Sequence, residues 1–180
     1  LNNGLEVVVF METLLYNLFD VIVDADYAAA NDITADMDWE EAMQKLDCTN
    51  VGVVARNAAA EDLARILINA AGLDESCFTY VAVGIQPLPA LESNDTDWTV
   101  TFDPFQVVAV NTGAGINPFS IQRGEGPPGL DWPGLVYMTG KDTFDSKQAE
   151  LCAYKSGTVA AINWLADPAN AEQAAEIAAT

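Results

Sequence analysis

A chain of 180 residues, 51% of them apolar, can bury one substantial core and part of a second module, which excludes a disordered reading. Seven Lys and Arg against 27 Asp and Glu leave a formal net charge of −20, which repels phosphate backbones and anionic lipid and so excludes nucleic acid as a partner. Histidine is absent, removing the usual general base and the commonest zinc ligand, and no apolar run approaches the roughly 18 residues of a membrane span.

From the N-terminus, Leu5–Phe10 and Phe19–Val23 read as strands, and Trp39, Ala42, Met43 and Leu46 recur at helical spacing behind an Asp38 cap. The clearest unit follows. Asn50–Ala55 is a buried strand, Arg56-Asn57-Ala58 a turn, and a helix runs to about Ala71 with Leu63, Ile66, Leu67, Ala70 and Ala71 as its buried stripe. Asn57 is its cap, Glu61 and Asp62 suit its dipole, and Gly72 suits the left-handed residue past its last turn. Thr79–Val83 is the next strand, completing a βαβ unit. After a turn at Gly84–Pro89, Trp98–Phe102 and Gln106–Val110 read as strands on either side of Asp103-Pro104. Asn111–Gly134 has the Gly and Pro content of a loop. Leu135–Met138 is a last strand, a helix spans about Phe144–Ala166, and Asp167 with Pro168 opens a closing helix. This alternation implies an α/β fold, a mostly parallel sheet with helices on both faces.

The order of elements resembles the substrate-binding proteins of nitrate, sulfonate, taurine and thiamine-precursor import systems. The matching words are Asn50–Val54, Ala71-Gly72-Leu73-Asp74, Tyr80–Gly84, Asp97-Trp98 through Phe105, and Asn163–Pro168. The chain departs from that pattern at Asp74–Cys77, at Asn94–Asp97 and in the Gly/Pro run after Val110. The resemblance implies one lobe of a two-lobed binding protein. The expected division is residues 1–46 as the end of the first lobe and a crossover, 47–140 as the second lobe, and 141–180 as C-terminal helices. It further implies capture of a small polar or anionic molecule (sulfonate, nitrate or pyrimidine-like), delivery to a membrane permease, a periplasmic or extracellular location, and any leader or lipid-anchoring cysteine ahead of Leu1. A ligand-sensing regulator and a thiamine-precursor enzyme are the alternatives on the same fold.

In open α/β sheets ligands bind beyond the carboxyl ends of the strands. That geometry selects Arg56 and Asn57, then Gly84 and Gln86, then Asp103, with Phe105 beside it. Arg56 next to free helix amides suits an anion; Asp103 with an apolar wall of Phe102, Phe105 or Trp98 suits an amine or aminopyrimidine. Cys48 and Cys77 precede neighbouring parallel strands, either as a disulfide or as two buried thiols, whereas Cys152 reads as packing. Serines without histidine partners, and Gly113-Ala114-Gly115 without a third glycine, support no catalytic set, dinucleotide, cofactor or metal.

Overall fold

Successive side chains of a strand point to opposite faces, so Asp20-Val21-Ile22-Val23-Asp24 places apolar groups on both sides of a sheet and demands cover on each. The computed structural model describes residues 4–14 and 16–179 and places this segment at an interior position of a five-stranded sheet. In chain order the elements are β1 (Val7–Leu14), β2 (Phe19–Asp24), α1 (Ala25–Ala30), α2 (Trp39–Lys45), β3 (Asn50–Val53), α3 (Ala59–Ala70), β4 (Thr79–Ala82) and α4 (Leu88–Glu92). There follow β5 (Trp98–Phe102), α5 (Phe105–Thr112), β6 (Gly115–Ile116), β7 (Leu135–Gly140), α6 (Lys141–Ser146), α7 (Gln148–Ala166) and α8 (Ala171–Ala178). The chain divides into two compact units, one of residues 14–135 and one joining residues 1–13 to 136–180.

In the first unit the strand order is β4-β3-β5-β2-β6. β3 runs parallel to β4 and β5, whereas β2 is antiparallel to both β5 and β6, with Phe19 opposite Phe102 and Val23 opposite Trp98. β2, expected ahead of this lobe, therefore lies inside its sheet. Val21, Val23, Val51, Val53, Trp98 and Val100 pack on one face with Ala42, Met43 and Leu46 and with Leu63, Leu67 and Ile68 of α3. Each fully buried Val, Leu, Ile or Met among these stabilises by about 1.5–3 kcal/mol. On the other face Ile22 meets Leu91 of α4 and Ala109 of α5.

Several local expectations shift. Asp38 caps α2 as expected, accepting from the amides of Glu40 at 2.9 Å and Glu41 at 3.3 Å. The stripe of α3 is rotated: Ala60, Leu63, Ala64, Leu67 and Ile68 are buried, while Ile66 is 39% exposed and Ala70 is exposed. The strand expected over Gln106–Val110 is α5, ended by left-handed Gly113 at φ 76°. β5 already has β3 and β2 on its two sides, so the segment that follows it cannot fold back as its neighbour, and the valines that suggested a strand are 42–48% exposed. The Gly/Pro run is not only loop: β6 pairs with β2, and Phe119, Ile121 and Leu130 enter the core. Lys147 interrupts the helix expected from Phe144, leaving α6 and α7. Asp167 caps a 3-10 turn over Pro168–Asn170 ahead of α8.

In the second unit β1 and β7 form a two-stranded sheet, continued by the Lys141 amide donating to the Glu6 carbonyl at 2.9 Å. The rings of Phe10, Tyr137 and Tyr154 pack against one another with centroids 5.5–6.5 Å apart.

Candidate functional site: the strand-end edge and its cavity

Because β3, β4 and β5 are parallel neighbours, the segments that follow them leave from one edge of the sheet, and the antiparallel β2 begins at that edge. Arg56, Asn57, Gly84, Gln86, Asp103 and Phe105 all belong to these segments. Their roles differ from one another. Arg56 donates through Nε to Glu61 at 2.8 Å, through Nη2 to Glu61 at 3.2 Å and through Nη1 to the Tyr80 carbonyl at 3.1 Å, and its guanidinium lies 5.2 Å from the Tyr80 ring centroid. The expected anion anchor thus has three of its five N–H donors committed inside its own unit, while its side chain stays 48% exposed.

Asn57 is not the cap of α3. It sits at φ 58°, and Ala58 occupies the cap position without a side-chain hydrogen bond. Glu61 instead reaches back from the first turn and accepts the Asn57 amide at 2.8 Å. The Arg56 hydrogen bond, then the Asn57 amide, then Arg65 hold the Glu61 carboxyl down to about 2. Arg65 also pairs with Glu75 and lies 5.1 Å from the Tyr80 centroid, so two guanidinium groups grip one ring.

Gly84, at φ 72°, and Gln86 and Asp103 are exposed. Phe105 stacks edge-to-face on Phe102 at 5.6 Å, and Phe102 on Phe19 at 5.8 Å, giving this edge an aromatic wall. Phe19 was missed in the sequence because only the β2–β5 register brings it here. Trp98 is not in that wall: it is fully buried, donating from Nε1 to Thr49 Oγ1 at 3.0 Å.

Next to the start of β2 lies a cavity of about 540 Å³, lined by Tyr16 and Asn17 and by residues 121–124 and 126–131. Asn17 is 1% exposed; its Oδ1 accepts the Phe19 amide at 3.0 Å, while its Nδ2 has no partner among the described residues. Gln122 donates to the Leu18 carbonyl at 2.8 Å, tying the far wall to the same segment. Gly134 closes against it so tightly that a Cβ would fall 2.8 Å from Leu14 Cδ2 and 3.1 Å from the Leu18 nitrogen. Arg123, on the rim, donates to Glu125 through Nε at 2.7 Å and Nη2 at 2.9 Å, which lowers the Glu125 carboxyl from its ordinary range. Behind this segment Asp20, 4% exposed, accepts the Ser120 hydroxyl at 2.9 Å and the Ile121 amide at 2.6 Å; burial nevertheless pushes its carboxyl up to about 6. None of these cavity residues was among the strand-end candidates, although the Gly/Pro run that supplies residues 124 and 126–129 of the lining was the available signal.

Cys48 and Cys77 are joined in a disulfide with Cα atoms 4.8 Å apart, and Cys152 is free and exposed rather than packed. Asp47 beside that pair completes the one grouping of metal-ligand residue types among the described residues, but bonded sulfurs cannot ligate. No described helix is long and apolar enough to cross a membrane.

The fold is shared with solved binding proteins. The periplasmic nitrate-binding protein NrtA of Synechocystis PCC 6803 superposes with a TM-score of 0.73 at 16% identity, over 99% of this chain and 46% of that one. The alkanesulfonate-binding protein SsuA of Xanthomonas axonopodis pv. citri, bound to MOPS, gives 0.65 at 13% identity over 94% and 53%. The periplasmic aliphatic sulphonate-binding protein SsuA of Escherichia coli gives 0.64 at 15% over 96% and 52%. The chain therefore spans about half the length of these structures. No curated protein matches it. The model of the NMT1-like family matches residues 4–179, and the chain belongs to that family.

Proposed function

We propose that this chain supplies one lobe, and part of a second, of the solute-capturing component of an ABC importer, which works outside the cytoplasm and hands its ligand to a membrane permease. It binds without converting: the chain has no histidine, and the strand-end residues offer hydrogen bonds and an aromatic wall rather than a nucleophile and base. The observation that carries the reading is the cavity at the start of β2, whose size suits a small molecule and whose lining includes the buried Asn17, with an Nδ2 unpartnered among the described residues. A buried donor of this kind favours a ligand with acceptor oxygens, as in nitrate or a sulfonate. The aromatic wall of Phe19, Phe102 and Phe105 with exposed Asp103 favours the second reading, an aminopyrimidine. Calorimetric titration of the full chain with nitrate, taurine and an aminopyrimidine separates the two. Saturable binding of an oxyanion, weakened about tenfold by Asn17→Ala and unaffected by Asp103→Asn, is expected. Loss through Asp103→Asn instead selects the aminopyrimidine, and chemical turnover of any bound compound overturns the receptor reading.

A further inference from the structure

The far wall of the cavity at the start of β2 begins as a tight turn that satisfies most of its own polar groups. The Gly124 amide donates to the Ile121 carbonyl at 3.0 Å and the Glu125 amide to the Ser120 carbonyl at 2.9 Å. The Ser120 amide donates to Glu125 Oε2 at 2.7 Å and the Arg123 amide to Ser120 Oγ at 3.3 Å. Residues 121–124 of this turn line the cavity. Two donors remain at its base, and both go to one side chain: the Ser120 hydroxyl to Asp20 Oδ2 at 2.9 Å and the Ile121 amide to Asp20 Oδ1 at 2.6 Å. A carboxyl group 4% exposed on an interior strand therefore fastens the turn to the sheet.

Arg123 is the charge that acts on Asp20, and it is shared with Glu125 at 2.7 Å and Asp36 at 3.5 Å. β5, β6 and α5 contain no titratable residue, Asp24 on the same strand accepts the Tyr27 amide at 2.8 Å, and Glu92 of α4 and Asp103 beyond β5 are exposed. A carboxylate accepts from two donors at once, whereas a neutral carboxyl turns one oxygen into a donor that cannot face another donor. We propose that Asp20 is a positioning residue for the solute site: its ionised carboxylate holds the cavity wall in its binding shape, and proton uptake there loosens the turn and weakens solute binding. The proposal rests on the reading of this cavity as the solute site and adds a proton to its control.

Two measurements on the full chain test it. Burial raises the Asp20 carboxyl to about 6, so amide NMR spectra between pH 7.5 and 5 should show Ser120, Ile121, Gly124 and Gly126 shifting together with a midpoint near 6. Asp20→Asn should abolish that shared transition. Ser120→Ala, which removes a hydrogen bond that favours the ionised form, should move the midpoint upwards, and it decides the matter if Asp20→Asn does not fold. Calorimetry with nitrate and taurine, neither of which changes charge in this range, should show affinity about tenfold lower at pH 5, where roughly one molecule in ten keeps the carboxylate. A merely structural role would not give that profile, and Asp20→Asn should lose it. Because the folded carboxyl lies above its ordinary 3.8, protonating Asp20 favours the fold, so this group does not weaken binding in acid by unfolding the chain. Wall amides that stay still while Ile121 titrates, a midpoint unmoved in Ser120→Ala, or the same pH profile in Asp20→Asn would each overturn the proposal. If neither solute binds at any pH, the solute reading fails, and the amide titration still decides whether Asp20 sets the wall.

Discussion

Replacing Glu61 by Gln removes the charge from a side chain that is 1% exposed while keeping its shape. The carboxylate holds Arg56 at 2.8 and 3.2 Å, the Asn57 amide at 2.8 Å and Arg65 Nη2 at 2.8 Å. Gln retains an oxygen for Asn57, but its amide nitrogen must face a guanidinium. Removing one partner of a fully buried pair costs about 3–5 kcal/mol; Arg56 and Arg65 are 48% and 40% exposed and rehydrate, so the loss should be about 2 kcal/mol. For a chain of this size that lowers the melting temperature by about 4–8 °C at pH 7. The pH dependence follows from the depressed carboxyl. Its stabilisation is present in full above the ordinary value of 4.5 and is lost as pH falls through the folded value of about 2. Circular-dichroism melts at pH 7, 4 and 2.5 should therefore show a gap between wild type and variant that narrows in acid. Equal melting at pH 7, or a gap that persists at low pH, refutes the reasoning. A variant that melts normally yet loses its solute would return Arg56 to the ligand.

Two further outcomes follow from the same geometry. Non-reducing peptide mapping should recover Cys48 linked to Cys77 and Cys152 alkylated, and Cys77→Ala should cost about 3–4 kcal/mol in denaturant melts, the scale for a loop of this 29-residue separation. Gly134→Ala should weaken solute binding several-fold, because the added methyl displaces the Leu14–Leu18 segment that carries Asn17; unchanged affinity would detach Asn17 from the site.

The βαβ unit from Asn50 to Ala82 was legible because a buried strand and a helical stripe leave different periods in the sequence, and the disulfide candidates because parallel neighbours begin together. α5 was not, since Val107, Val108 and Val110 carry strand propensity that the filled sides of β5 override. Asn57 reads as a cap in the sequence because Asn often serves as one, whereas in the fold Glu61 satisfies the free amide from within the helix. The Asn17 cavity depends on residues more than 100 positions apart, and no local pattern encodes that return of the chain.

Residues 14–135 interrupt the unit made by the two ends of the chain. β1 leaves the ribosome long before β7, and pairing them directly would close a very long loop, the slowest kind of contact for a chain to find. The Gly134 amide, however, donates to the Leu14 carbonyl at 2.9 Å. Once the intervening unit has folded, the entrance and exit of that loop are already neighbours. Assembly should thus run from the inside outwards, with the middle of the sequence acting as the clasp that lets its two ends meet in register.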